Sequence, residues 1–449
     1  MTHATTSQAL RCLAVLTLLI SIAPAGADEQ PADLRAFVRT AEPEPQLIQL
    51  EIAIRRFKSA DPDRPAIDLV GVVHVGESGY YEALQTHLDE QPLVLFEGIG
   101  QPPFITDLEE ADGRRAARTR HAITFLAIQL ERYHQRHNTY PADVDALLND
   151  VAEHEPGEAR WTRAATRDNW DRPLHYEPTE DGYELRSLGA DGEPGGDGAD
   201  ADLDYHEDFA PLTPAEINAT GNQMQPGIAT ALGLVFQLDV MNYDRPHYRH
   251  SDMSFTELTN AIAARRDGRE PDLEQRQPDP LWAAELGDHD EELDEVVRML
   301  DGTDFTNTLM TFAQNLLTQR PGLQQFTRLL MIDVLGQIEG DLAEMPGLAP
   351  SMRQLMRVLI TDRNRIIVQD LRDLIEDEDN TPEAISVFYG AAHMPDLARQ
   401  LRDELDYHPS DDVQWLPAFT ADFRDSELDP QQVEFIRGMI RFQLRTLNQ

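Results

Sequence analysis

The sequence predicts an α/β fold: a sheet with helical layers, split by a small α+β insertion. Three observations carry this expectation. Asp68–Val75 and Pro92–Gly98 are short apolar runs, and Gly79–Glu90 between them places Tyr80, Leu84 and Leu88 at helical spacing, the pattern of a βαβ unit with a right-handed crossover. A third apolar run, Ile385–His393, leads into an amphipathic helix over Asp396–Leu405. From about Gly113 to Asp208 the chain turns rich in Trp, Tyr, His, Gly and Asp, a composition that cannot line the interior of a parallel sheet.

Along the chain, Arg11 precedes a largely apolar run of twelve residues, Cys12–Ala23, and Pro24-Ala25-Gly26-Ala27 then offers a small-x-small cleavage site. This reads as a signal peptide over 1–27, with a retained N-terminal anchor as the alternative. It implies export to the periplasm or the outside, with no transmembrane segment after cleavage, since no later stretch approaches about 18 apolar residues. Cleavage would remove Cys12, the one cysteine, so neither a disulfide nor thiol chemistry is expected. Residues 28–46 read as a polar, proline-dotted linker. The α/β host is expected over 47–112 and 209–425, interrupted by the insertion at 113–208. Thr303–Glu378 is nearly all helical in pattern, with breaks at Pro321 and at Pro346–Pro350. Val413–Leu416 is a further strand, and 426–449 a C-terminal helix.

Charge narrows the function classes. The 449 residues carry 81 acidic and 38 basic side chains, a net charge of −43. Lys58 is the one lysine, so the remaining basic residues are arginines. A polyanion without a basic patch offers phosphates no counterion release, which excludes nucleic acid as a partner. A hydrated carboxylate surface instead suits a salty environment.

Candidate chemistry sits at strand ends. His74, Glu97 and His393 each close a predicted strand, the edge at which open α/β sheets bind ligands. Two imidazoles and a carboxylate are a normal protein set for a divalent metal with open positions. Gly71 and Gly390 stand three residues before the two histidines, where a missing side chain allows close approach. The alternative is that such histidines cap the sheet or satisfy buried polar groups.

These residues resemble the TraB/PrgY/GumN/TIKI superfamily, whose members share two Gly-x-x-His motifs, a glutamate after the first and an arginine before the second. Here these are Gly71-Val72-Val73-His74, Glu97 in Leu95-Phe96-Glu97-Gly98, Arg363 in Asp362-Arg363-Asn364-Arg365, and Gly390-Ala391-Ala392-His393. Leu232–Asp239, Asp244-Arg245-Pro246 and Ser251-Asp252-Met253 also resemble family members. The resemblance covers roughly 46–112 and 209–425. It implies a TIKI/TraB-like sheet with helical layers and a metallohydrolase-like site using Mn, Co or Zn on a peptide or small-molecule substrate. In that site His74, His393 and Glu97 hold the metal, or Glu97 acts as general base. Arg363 stabilises an oxyanion or clamps a substrate carboxylate, its alternative being a surface ion pair. Asp252 is a fourth candidate ligand.

The insertion resembles the C-terminal domain of type II secretion pseudopilin G. The shared features are Asn138-Thr139-Tyr140-Pro141, Asp168-Asn169-Trp170-Asp171 and the glycine- and aspartate-rich loop Ser187–Leu203, with Asp171 where that family usually has glycine. Oxygen ligands from Asp191, Asp197 and Asp202, joined by Asp168, would suit calcium; a flexible acidic linker is the alternative. The insertion begins about 16 residues after Glu97, a position from which it could gate the strand ends or recruit a protein partner. His134 and His137 are expected to face solvent, and Glu285–Glu295 to form a solvated helix face. His247 and His250 form a minor candidate metal pair near Asp252. No His-Glu-x-x-His, Gly-x-Ser-x-Gly or phosphate-loop motif occurs.

The function expected from sequence is therefore an exported metal-dependent hydrolase acting on peptide or ester bonds, with a calcium-stabilised insertion. The rival is a non-catalytic secreted binding, adhesion or secretion-associated protein. A pseudopilus subunit is excluded because no long apolar helix leads into the insertion.

Overall fold

The structure, a computed structural model, describes residues 37–98, 112–180, 182–218, 232–274, 276, 324–336, 350–377, 381–426, 430–435 and 437–438. The expected signal peptide, the first part of the linker, Glu285–Glu295, much of Thr303–Glu378 and most of 426–449 lie outside these residues. Among the described residues no helix is long and apolar enough to cross a membrane.

Strands β1 (Val38–Glu44) and β2 (Leu47–Ser59) open the sheet as an antiparallel hairpin. The expected linker over 28–46 is thereby corrected in its second half. Most of β1 is solvent-facing, so it lacks an apolar pattern and owes its strand form to pairing with β2. Next come β3 (Ala66–Val72), β4 (Val75–Gly76), α1 (Ser78–Asp89) and β5 (Val94–Phe96).

The insertion follows, with α2 (Asp112–His137), α3 (Val144–His154), a 3-10 turn at Pro156–Glu158 and α4 (Ala159–Ala165). Its strands β6 (His175–Pro178), β7 (Tyr183–Ser187) and β8 (Leu203–Asp204) form an antiparallel sheet of their own. Ile123, Leu126, Leu130, Leu147, Val151, Leu185 and their neighbours give it a separate apolar core. At about 1.5–3 kcal/mol per buried large side chain, that cluster contributes most of the apolar stabilisation of the insertion.

The chain re-enters the host through α5 (Tyr205–Asp208) and α6 (Pro214–Asn218), then β9 (Val235–Phe236), α7 (Gln237–Val240), β10 (Tyr248–His250) and α8 (Phe255–Arg266). Helices α9 (Gln324–Leu335), α10 (Pro350–Met356) and α11 (Arg363–Glu376) precede β11 (Ala384–Gly390), α12 (Met394–Leu405) and β12 (Tyr407–Asp422).

The main sheet runs β1-β2-β3-β11-β5-β10, with β12 paired to β2. Strands β3, β11, β5 and β10 are mutually parallel, and β1, β2 and β12 are antiparallel to their partners. The fold is thus α/β with a mixed sheet. The βαβ expectation needs one correction: β3 and β5 are not neighbours. Phe388 of β11 pairs with Val70 on one side and Phe96 on the other, so the late strand fills the gap. Each face of the sheet buries its own apolar cluster. Tyr80, Leu84 and Leu88 of α1 join Leu329 and Ile332 of α9 on one side, and Ile367 and Leu371 of α11 join Leu397 and Leu401 of α12 on the other.

Candidate metal centre

Four adjacent parallel strands end at the same edge, and each delivers one polar side chain there. His74 follows β3, His393 follows β11 through a 3-10 turn, Glu97 follows β5, and Asp252 follows β10. The arginine arrives from a helix. A π-helical turn, Arg357–Asp362, runs straight into α11, whose first residue is Arg363; such turns recur at functional sites. Val358, Leu359 and Ile360 pack that turn against Leu258 and Ala261 of α8. A capping box of Ser254 and Glu257 starts α8 just after Asp252.

Arg363 is the hub. Its side chain is 3% exposed and that of Asp252 is fully buried. Nε and Nη2 of Arg363 donate to the two Asp252 oxygens at 2.9 and 2.5 Å, a bidentate charge-assisted pair. Nη2 also donates to Glu97 Oε1 at 2.8 Å, and Nη1 lies 3.3 Å from His393 Nε2. The surface ion pair offered as an alternative for Arg363 is thereby corrected: this cation is interior. Burial alone would lower its pKa, but Asp252 and Glu97 keep it raised.

Asp252, the fourth candidate ligand, is placed as an anchor of Arg363. Beyond Arg363 it accepts from Gly98 N at 3.0 Å and Met253 N at 2.7 Å, so four donors occupy its two oxygens. His247 and His250 each face a backbone carbonyl. Their Nε2 atoms meet the carbonyls of Leu88, at 3.2 Å, and Gly98.

Glu97 accepts from Gly390 N at 2.7 Å. A Cβ at residue 390 would stand 3.3 Å from Glu97 Oε2, so the second motif glycine admits the carboxylate. Gly71 is tight against β2 instead, its missing Cβ facing Ile52 and Ala53. Burial would raise the Glu97 pKa, yet Arg363, the neighbouring imidazoles and the Gly390 N–H hold it down to about 2. A general base works best with a pKa near the operating pH. Glu97 is therefore suited to act as a fixed anion rather than as a base.

Both histidines are held by side-chain amides. Asn364 Nδ2 donates to His393 O at 3.1 Å and to Asp396 Oδ2 at 2.7 Å, which turns its Oδ1 to His393 Nδ1 at 2.7 Å. His393 thus carries its proton on Nδ1 and presents Nε2 as a lone pair, 3.6 Å from Glu97 Oε1. Burial lowers the His393 pKa to about 4, although Glu97 pulls it upward. At the other histidine, Gln237 Nε2 donates to the Tyr243 hydroxyl at 2.8 Å and its Oε1 faces His74 Nδ1 at 3.1 Å. Fixing Nδ1–H on a protein oxygen while Nε2 stays basic is how ligating histidines are oriented. The donor types of His74, His393 and Glu97 suit a divalent transition metal, but the structure brings only His393 and Glu97 together, and the ligand atoms of all three do not lie within 4.8 Å of one another. His74 is the outlying member, exposed at the rim.

Gln237 and Asn364 were missed as functional residues by sequence reasoning. Each lies inside a motif stretch, yet an amide has no spacing signature of its own.

In the insertion, Asp168 organises a turn. Its Oδ1 accepts from Trp170 N at 3.0 Å and Arg172 N at 2.9 Å, and its Oδ2 from Ser187 Oγ at 3.0 Å, so this candidate calcium ligand is placed with three protein donors. Asp171 adopts φ 62°, the left-handed conformation that favours glycine and that aspartate tolerates. Asp191 Oδ1 accepts from Glu193 N at 3.0 Å, and the side chain of Asp197 caps nothing in the short turn it precedes. Asp202 Oδ1 is buried without a hydrogen-bond partner among the described residues. A hard cation suits that orphaned oxygen. The expected solvent-facing pair is also partnered: His137 Nε2 meets Asp150 Oδ1 at 2.6 Å, and His134 stacks on Tyr140. On the β6–β7 hairpin, ligand atoms of His175, Glu177 and Glu184 lie within 4.8 Å of one another on a solvent-facing surface.

The comparisons bear on the insertion. No curated protein and no solved structure matches the chain. The family described as type II secretion system (T2SS), protein G, matches residues 106–206. That span contains α2 to β8, so the insertion is a domain similar to protein G of the type II secretion system.

Proposed function

We propose that the protein is an exported, TraB/TIKI-like metal-dependent hydrolase acting on peptide or ester bonds, with a calcium-stabilised, protein G-like insertion. The observation that carries this reading is the matched pinning of two strand-end imidazoles. Each has Nδ1 on an amide oxygen, which leaves the lone pair on Nε2; on His393 that lone pair faces Arg363 Nη1 at 3.3 Å, a contact a bound metal would have to replace. His74, His393 and Glu97 would hold Mn, Co or Zn, which would supply Lewis acidity and a water of lowered pKa. Glu97 serves as an ionised ligand. Arg363 is a positioning residue, because its donors are already spent on Asp252 and Glu97 rather than directed at substrate. In the insertion, Asp202, with Asp191 and Asp197 from the same loop, would hold calcium. The protein G likeness supports a secretion-related setting.

A non-catalytic binding protein is favoured by one specific feature: the guanidinium of Arg363 lies against both Glu97 and His393. Reconstitution separates the two readings. Purified protein dialysed against Mn, Co or Zn should retain about one equivalent and cleave peptide or ester substrates, and His74→Ala and His393→Ala should lose both properties. Full metal content in both variants would sink the assignment. Metal retained without turnover would favour the binder.

A further inference from the structure

The insertion touches the host at the elements that carry the site, and its short helix α4 with the preceding 3-10 turn makes the contacts. Gly157 in that turn lies against the carbonyl of Leu238 in α7, and a Cβ at residue 157 would overlap that oxygen outright. The Arg160 guanidinium stacks 4.7 Å above the ring of Phe96, the residue before Glu97. Arg163 Nε donates to both oxygens of Asp244, at 2.9 and 2.7 Å, in the segment that leads to β10 and Asp252.

Helix α7 is where this docking meets the chemistry. Its first residue, Gln237, holds His74 twice, through Oε1 at Nδ1 and through its backbone N–H to His74 O at 2.9 Å. The next residue is Leu238, which Gly157 abuts. Four residues cannot sustain a helix alone, because one turn fixes several dihedrals for a single hydrogen bond. The position of α7, and with it that of Gln237, must come from what holds it: on the host side Tyr243 and strand β9, which leads into α7 and is paired to β4, and on the insertion side Gly157.

We propose that the protein G-like insertion is a clamp on the His74 half of the site, with Gly157 and Gln237 as positioning residues that set the orientation of the His74 ring. Its importance for metal binding rests on the reading of His74 as a ligand; the mechanical coupling does not. His74 is the member that needs such a clamp. Glu97, His393, Asp252 and Arg363 restrain one another through a buried network, whereas the His74 ring is exposed and leans on Gln237.

The test uses the full chain. Gly157→Ala is compatible with the local backbone, since residue 157 has no positive φ, and it acts by steric displacement of Leu238. Expected results are faster amide exchange over residues 237–241, loss of the single Nδ1–H tautomer of His74 in ring nitrogen NMR, and cobalt affinity weakened about 10–100-fold, the usual effect of losing an outer-shell partner. Gln237→Leu should reproduce the tautomer and cobalt effects. Should Gly157→Ala fail to fold, Arg163→Asp gives a second route: repulsion from Asp244 should produce the same exchange and ring signatures, and adding Asp244→Arg should restore both. Unchanged exchange and an unchanged His74 tautomer in Gly157→Ala, or in Arg163→Asp, would overturn the clamp. A parent protein that binds no cobalt removes the metal reading alone, and exchange and tautomer then decide the clamp.

Discussion

Asp252→Asn is the sharpest probe of the buried network. The side chain is fully buried and accepts from Arg363 Nε and Nη2, Gly98 N and Met253 N. Asparagine keeps the shape but turns one acceptor oxygen into a donor that faces two N–H groups, and it leaves a buried guanidinium without its bidentate partner. Removing one member of a buried ion pair costs about 3–5 kcal/mol. Arg363 retains Glu97 at 2.8 Å, which places the expectation near the lower end, about 3 kcal/mol. With an m value of about 3 kcal/mol per M, that is a urea midpoint lowered by about 1 M. Because the insertion has its own core, the unfolding should be followed by hydrogen exchange of peptides covering β5 and β11, which report the host sheet alone. Asp171→Asn is the control. It removes the charge from an exposed pair with Arg167, whose side chains are 88% and 46% exposed, and should stay within about 0.5 kcal/mol of the parent. Adding Arg363→Met to Asp252→Asn should cost less than the sum of the single changes, since no uncompensated buried cation remains. Asp252→Asn within about 0.5 kcal/mol of the parent would refute the argument that Arg363 is anchored from this side.

Three further outcomes follow from the site. In chelated protein, His393 is held by burial at about 4 against an ordinary 6.5, so the unfolded chain binds the extra proton between these values. Stability should therefore fall as pH drops from 6.5 to 4, by at most roughly 1.4 kcal/mol per pH unit from this group, and Glu97 should add a second loss between 4.5 and 2. His393→Gln should flatten the first limb, and an unaltered slope in urea titrations across that range would contradict the assignment. Asn364→Leu frees the His393 ring, and isothermal titration with cobalt should show affinity lowered about 10–100-fold; parent-like binding would count against tautomer control by Asn364. Calorimetry with and without calcium separates two aspartates of the insertion. At a hundredfold excess over Kd the parent should gain about 2.7 kcal/mol, Asp202→Asn should lose that gain, and Asp168→Asn should be destabilised under both conditions; calcium protection that survives Asp202→Asn would remove Asp202 from the site.

Much of this arrangement was legible in the linear sequence because strand ends are short-range features. Apolar runs closed by His74, Glu97 and His393 declare both the element and the residue that leaves it, and glycine three positions before each histidine marks close approach. The insertion was legible for a different reason, since its turns are built from glycine and aspartate at positions that only a few residue types can occupy. The exposed strand β1 was not legible, because an edge strand with little buried surface carries no apolar alternation.

The sequence by itself determined the α/β class, the edge of the sheet at which polar groups collect, and the insertion as a unit of distinct composition. Tertiary structure alone decided the strand order, in which the late β11 slides between β3 and β5, and so brought His393 beside Glu97. It also decided that Asp252 anchors Arg363, that Gln237 and Asn364 hold the two imidazoles, and that Gly157 abuts the helix carrying Gln237. The physical reason is one of range. Periodicity and turn chemistry act between residues a few positions apart, whereas these contacts join groups 29 to 296 positions apart, and neither a buried charge nor an amide signals in advance which distant partner it will meet.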